Sequence, residues 1–138
     1  MINWQDKHCK ISANFCVADA CYLLTWEKLH LPTPAEQANL KKLCELMEKV
    51  RAVVKKPITI HCMIRPADYN AKIGGSPRSA HILGLACDFS VPGISCDKVR
   101  SMLLPHLEAW KARMEDKPGS NWVHIDLAPV IISRFFKP

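Results

Sequence analysis

The stretch Ser79-Ala80-His81-Ile82-Leu83-Gly84-Leu85-Ala86-Cys87-Asp88 constrains this chain more than any other. A histidine and an aspartate stand seven positions apart, joined by a small apolar run with a glycine inside it. Leu85 to Val91 reads as a strand, so Asp88 rides on it and His81 precedes it. About three dozen residues later, Asn121-Trp122-Val123-His124-Ile125-Asp126 presents a second histidine on another short apolar segment. Two imidazoles and one carboxylate make a three-ligand set with a fourth position open, the way catalytic zinc is held. Alternate side chains of a strand share a face, so His124 and Asp126 point one way, Val123 and Ile125 the other. If the two strands are neighbours, Asp88 and His124 converge and His81 reaches in from the preceding loop. Gly84 then lets that loop turn tightly, and Ser79 fixes it by hydrogen-bonding a backbone group or carboxylate. On residue types alone the competing reading is two satisfied histidines and an ion-paired aspartate, and both stay open here.

A length of 138 residues predicts one domain over 1–138, with 1–13 and 128–138 peripheral. The apolar fraction is 49% with 23% charged residues, which excludes a disordered chain. No apolar run approaches the ~20 residues that span a bilayer, so no membrane insertion is expected. The start, Met1 to Lys7, lacks a basic region followed by an apolar one, so synthesis in a cytoplasm without a signal peptide is expected. Seven cysteines, an odd number without a C-x-x-C pair, read as reduced thiols serving as small hydrophobes. A structural zinc site from Cys9, Cys16 and Cys21 lacks the usual paired spacing. The formal net charge of +6 favours an acidic partner. The basic residues are scattered, without a run interleaved with aromatics, so nucleic acid is not expected.

The clearest element begins at Thr33-Pro34-Ala35-Glu36, an N-cap threonine, a proline at the first helical position and a glutamate closing a capping box. Leu40, Leu43, Met47, Val50 and Val54 continue it as one apolar stripe. Before it, Phe15 to Leu24 reads as a helix after a short extended segment. After it, Ile58 to Met63 alternates like a strand. Arg65-Pro66 follows, and the proline keeps Arg65 out of a helical conformation, so its guanidinium projects where the strand stops. Asp68 to Pro77 predicts a helical turn running into a flexible loop. Ser95 caps a further helix, which Pro105 kinks or splits. Glu115 to Ser120 reads as a polar loop, Asn121 to Leu127 as a third strand, and Val130 to Phe136 as a fourth. The fold class expected is α+β, a small, mainly antiparallel sheet flanked by helices.

The spaced set Ser79, His81, Gly84, Ala86 and Asp88 resembles the signature of the zinc D-alanyl-D-alanine carboxypeptidase and L-alanyl-D-glutamate endopeptidase family. That family shares its fold with the hedgehog signalling domain and includes many bacteriophage endolysins. Arg65-Pro66, Tyr69-Asn70 and Ile73-Gly74-Gly75-Ser76 resemble its arginine-bearing strand end and following loop, and Trp122-Val123-His124 its final ligand segment. The resemblance covers roughly residues 14–127. It implies that His81, Asp88 and His124 bind Zn2+ and that Arg65 binds the substrate carboxylate or the oxyanion formed at the attacked carbonyl. Ser79, Tyr69 and Trp122 are expected around that set. The implied substrates are peptidoglycan stem or cross-link peptides, cut by a zinc-activated water. A monomeric phage or prophage lysis enzyme is expected, acting on the wall after release or carried by the virion.

One position departs from the pattern. Many members carry a glutamate or aspartate three residues before the last histidine as general base, and here Asn121 stands there. An amide cannot accept a proton from water, a task worth ~10²–10⁴-fold in rate. Three explanations stay open. Asp126 takes the role, or instead orients His124 or Arg65; Glu115 or Asp116 swings in from the loop; or the chain binds zinc and wall peptides but cleaves poorly, as a wall-binding or virion structural protein.

Overall fold

The computed structural model describes residues 1–138. Its longest element, helix α2 (Pro34–Val54), starts as its sequence dictates: Thr33 Oγ1 accepts the Glu36 N–H at 3.3 Å, and Glu36 Oε1 accepts the Thr33 N–H at 2.9 Å. It stops at Lys55, which turns left-handed at φ +57°. Leu40, Leu43, Cys44, Leu46, Met47, Val50 and Val54 form its buried stripe. Each fully buried aliphatic side chain there contributes about 1.5–3 kcal/mol.

That stripe belongs to one core cluster with Cys87, Phe89, Met114, Val123 and Ile125 of the main sheet. The sheet contains β3 (Thr59–Cys62), β4 (Ala86–Ser90), β5 (Arg113–Glu115), β6 (Val123–Asp126) and β7 (Phe135–Phe136), in the order β3-β4-β6-β5-β7. All neighbours are antiparallel except β5 and β7. The α+β, mainly antiparallel architecture expected from the sequence is the one observed. Strand alternation divides the residues cleanly. Cys87, Phe89, Met114, Val123 and Ile125 enter the core, while Asp88, Arg113, His124 and Asp126 line a cleft on the opposite face.

The connections position the cleft. Helix α3 (Ala67–Lys72) follows Arg65-Pro66, and a short 3-10 helix (Ala80–Leu83) carries His81 into β4. Gly84 closes that turn at φ +73°, where a Cβ would stand 3.3 Å from Leu40. Helix α4 (Cys96–Leu103) is capped by Ser95, whose Oγ accepts the Lys98 N–H at 3.1 Å. Beyond α4, Pro105 splits the helical path into a 3-10 turn (Leu104–His106) and α5 (Leu107–Trp110).

Three local expectations change. The helix expected over 15–24 is only α1 (Val17–Cys21), because Tyr22 turns extended at ψ 122°. The next residues pair in a hairpin of β1 (Tyr22–Leu23) and β2 (Lys28–Leu29). Strand β5, unread in the sequence, extends through Glu115 into what reads as loop. The apolar run 130–136 is a strand only at Phe135–Phe136, because β5 offers just Met114 and Glu115 for pairing. Ile131 and Ile132 are exposed. No helix is long and apolar enough to cross a membrane.

Candidate metal centre

The register of β4 against β6 sets Asp88 directly opposite His124. His81 arrives from the 3-10 turn, held by Ser79, whose Oγ accepts the His81 N–H at 3.2 Å. One donor atom from each of His81, Asp88 and His124 falls within 4.8 Å of the others. His124 Nδ1 lies 2.9 Å and His81 Nε2 3.1 Å from the same oxygen, Asp88 Oδ1. Donors about 2.0–2.1 Å from one tetrahedral zinc stand roughly 3.3 Å apart, so the observed spacing is of the right order. His81 Nε2 is fully buried, and despite its nearness to Asp88 it makes no hydrogen bond of acceptable direction. A buried nitrogen of this kind is costly unless something meets its lone pair. The two nitrogens and one carboxylate oxygen are a donor set that suits zinc.

The outer ring nitrogens are fixed as well. His81 Nδ1 lies 2.6 Å from the Met63 carbonyl, and His124 Nε2 lies 2.8 Å from Asp126 Oδ2. With N–H on those outer atoms, Nε2 of His81 faces inward with a free lone pair, and Nδ1 of His124 offers one once the proton it shares with Asp88 Oδ1 is displaced. Asp126 is fully buried and gripped by Arg113, Nε to Oδ1 at 2.8 Å and Nη2 to Oδ2 at 2.9 Å. Its Oδ1 also accepts the Ala128 N–H at 3.1 Å. The Arg113 guanidinium is in turn covered by the Phe136 ring at 4.4 Å.

Charge states follow from these contacts. Burial by itself would raise the Asp88 carboxyl, but the hydrogen bond from His124 and the closeness of both imidazoles outweigh it and hold the group well below the usual carboxylate range. Burial would lower His124, yet its bonds to Asp126 and Asp88 push it up to about 9. Asp126 is held low by His124 and Arg113 against the opposing effect of burial.

The cleft has a volume of about 540 Å³ and takes in Arg65, Ser79, Trp122, Glu115, Lys117 and Phe136 besides the triad. Arg65 Nη2 donates to Ser79 Oγ at 3.1 Å, while its buried Nε has no partner. Trp122 is part of the wall, with the Lys117 ammonium 5.4 Å from its ring. Tyr69 and Asn121 are not among the lining residues. Tyr69 is buried, its hydroxyl accepting the Thr25 N–H at 3.1 Å and its ring meeting Trp26 edge-on. Asp116, named in the sequence beside Glu115, turns away and pairs with Lys137 at 2.8 Å. All seven cysteines are free, and burial pushes the Cys21 and Cys62 thiols up to about 12. Sequence reading missed Arg113 and Phe136. The alternation Arg113-Met114-Glu115, polar-apolar-polar, was the one signal available for Arg113.

Residues 20–126 match the family model described as Peptidase M15. The chain belongs to this family. The span contains Arg65, all three candidate ligands and the Arg113–Asp126 pair. Peptidase M15 members are metal-dependent, usually with zinc, and act on peptides. No curated protein matches the chain.

Proposed function

We propose that this protein is a zinc peptidase that hydrolyses stem or cross-link peptides of bacterial peptidoglycan, in the manner of a phage or prophage lysis enzyme. The observation that carries the reading is the buried, unpartnered His81 Nε2 facing Asp88 and His124 in an open cleft. His81, Asp88 and His124 would hold the metal. When bound, zinc supplies Lewis-acid polarisation of a carbonyl and makes water nucleophilic near neutral pH. Arg65 points a fixed cation into the same cleft, suited to a substrate carboxylate or to the charge developing on the attacked carbonyl oxygen. Asp126, saturated by four donors, orients His124 and takes no part in proton transfer. The net charge of +6 supports approach to an anionic wall. Action on the wall after synthesis in a cytoplasm, as a monomer, is part of the same proposal.

Digestion of purified peptidoglycan with zinc-loaded protein, with and without a chelator, tests it. New amine termini are expected only in the zinc-loaded sample, and none in either would overturn the reading. Mass spectrometry of the products then identifies the bond, whether D-alanyl-D-alanine, L-alanyl-D-glutamate or a diamino-acid cross-link. One observation favours a second reading, a poorly cleaving wall-binding or virion protein. Asn121 stands where many relatives carry the base. On that reading Asn121→Asp brings a large gain in turnover, whereas on the peptidase reading it brings none.

A further inference from the structure

We infer that Glu115 is the proton acceptor of the hydrolysis, supplied from β5 rather than from the segment before His124; this rests on the peptidase reading above. Three carboxylates line the cleft: Asp88, Asp126 and Glu115. Asp88 is committed to the triad. Asp126 has two oxygens and four donors on them: both Arg113 nitrogens, His124 Nε2–H and the Ala128 N–H. No lone pair of Asp126 is left for a proton from water. Glu115 carries neither an ion pair nor a side-chain hydrogen bond, and it is the uncommitted acid of the cleft.

Register puts it in place. Arg113 pairs with Asp126 and Met114 with Ile125, where the β5–β6 ladder ends; Glu115, the next residue of β5, follows on the side of His124. On the other side of β6, Asp88 is opposite the same His124. Asp88 and His124 therefore form a paired row, and Glu115 lines the same cleft from the neighbouring strand. Neighbouring and diagonal side chains on one face of a sheet lie about 4.5–8 Å apart, within the reach of a glutamate. Arg113 and Glu115 both line the cleft, as alternation along β5 requires.

The step balances. One O–H bond of water breaks and its proton passes to the Glu115 carboxylate as the C–O bond forms at the scissile carbonyl carbon. When the C–N bond breaks, Glu115 returns that proton to the departing nitrogen. The products are a carboxylic acid and an amine, and Glu115 is a carboxylate again.

The test compares wild type with Glu115→Gln, both zinc-loaded. Turnover of peptidoglycan should fall about 10²–10⁴-fold. Zinc affinity, read by chelator competition, should stay within about threefold, since Glu115 is not one of the converging donors. Affinity for acetohydroxamic acid should fall about tenfold or more, from loss of one charged hydrogen bond. Undiminished acetohydroxamic acid binding, undiminished turnover, or a collapse of zinc affinity each overturns the inference. If the wild type itself releases no amines, the peptidoglycan reading fails, and acetohydroxamic acid binding still decides the place of Glu115. Where Glu115→Gln does not fold, Glu115→Ala is judged by the same affinities.

Discussion

Asp126 concentrates the energetics of the site in one residue. A fully buried carboxylate is tolerated because Arg113 meets it with two parallel bonds and His124 with a third. Removing Arg113 strips two of the four donors from that buried charge and loosens the ring it holds. Arg113→Ala should therefore weaken zinc about 10–100-fold by chelator competition. It should also destabilise the metal-free fold by about 3–5 kcal/mol in urea titration, the cost of breaking a buried pair. Gly84→Ala tests the turn that delivers His81. At φ +73° with Leu40 3.3 Å from the new Cβ, it should cost about 1–2 kcal/mol, again read in urea. The triad was legible in sequence because its types and order match the family signature, and Arg65 because Arg65-Pro66 resembles that family's arginine-bearing strand end. Arg113 was not, since nothing local ties it to a partner thirteen positions on. Tyr69 sits in a conspicuous motif, yet its hydroxyl is spent on Thr25, a contact no sequence pattern announces.

Among the elements, α2 was readable to its caps, because its signals are contiguous and repeated over 21 residues. Strands β5 and β7 were not, being three and two residues long and defined by what lies beside them. Helix α2 also anchors the N-terminal segment. Glu48 accepts the Asn14 N–H at 2.8 Å and also bonds Ser12 Oγ and the Asn14 amide. Burial would raise the Glu48 carboxyl, but these bonds outweigh it and hold it below its ordinary range. A carboxyl depressed in the native state stabilises fully above its unfolded value, about 4.3, and loses that contribution as pH falls through the native value. Wild type should thus exceed Glu48→Gln in stability at pH 7, and the gap should narrow below about pH 4. Denaturant titrations of both proteins across pH would check it; a gap that widens in acid would reverse the sign.

Taken as a whole, the molecule separates support from chemistry. The core of 23 buried residues lies on one side of the sheet and includes none of the three ligands. Zinc removal should therefore leave the far-ultraviolet dichroism native while lowering Tm, and zinc at a hundred times its Kd should restore about 2.7 kcal/mol. Loss of secondary structure on chelation would instead make the metal a folding centre.

Strands β4 and β6 are paired on both sides, whereas β7 closes the sheet's edge with two residues. Amide protons of Asp88 and His124 should accordingly exchange with deuterium far more slowly than those around Phe136. The same asymmetry governs how such a protein diversifies. Substitutions that reshape the rim at Lys117 or Pro138 should meet little resistance from the fold, while those in the paired interior strands should cost stability. Lineages can thus change which peptide enters without renegotiating how it is cut.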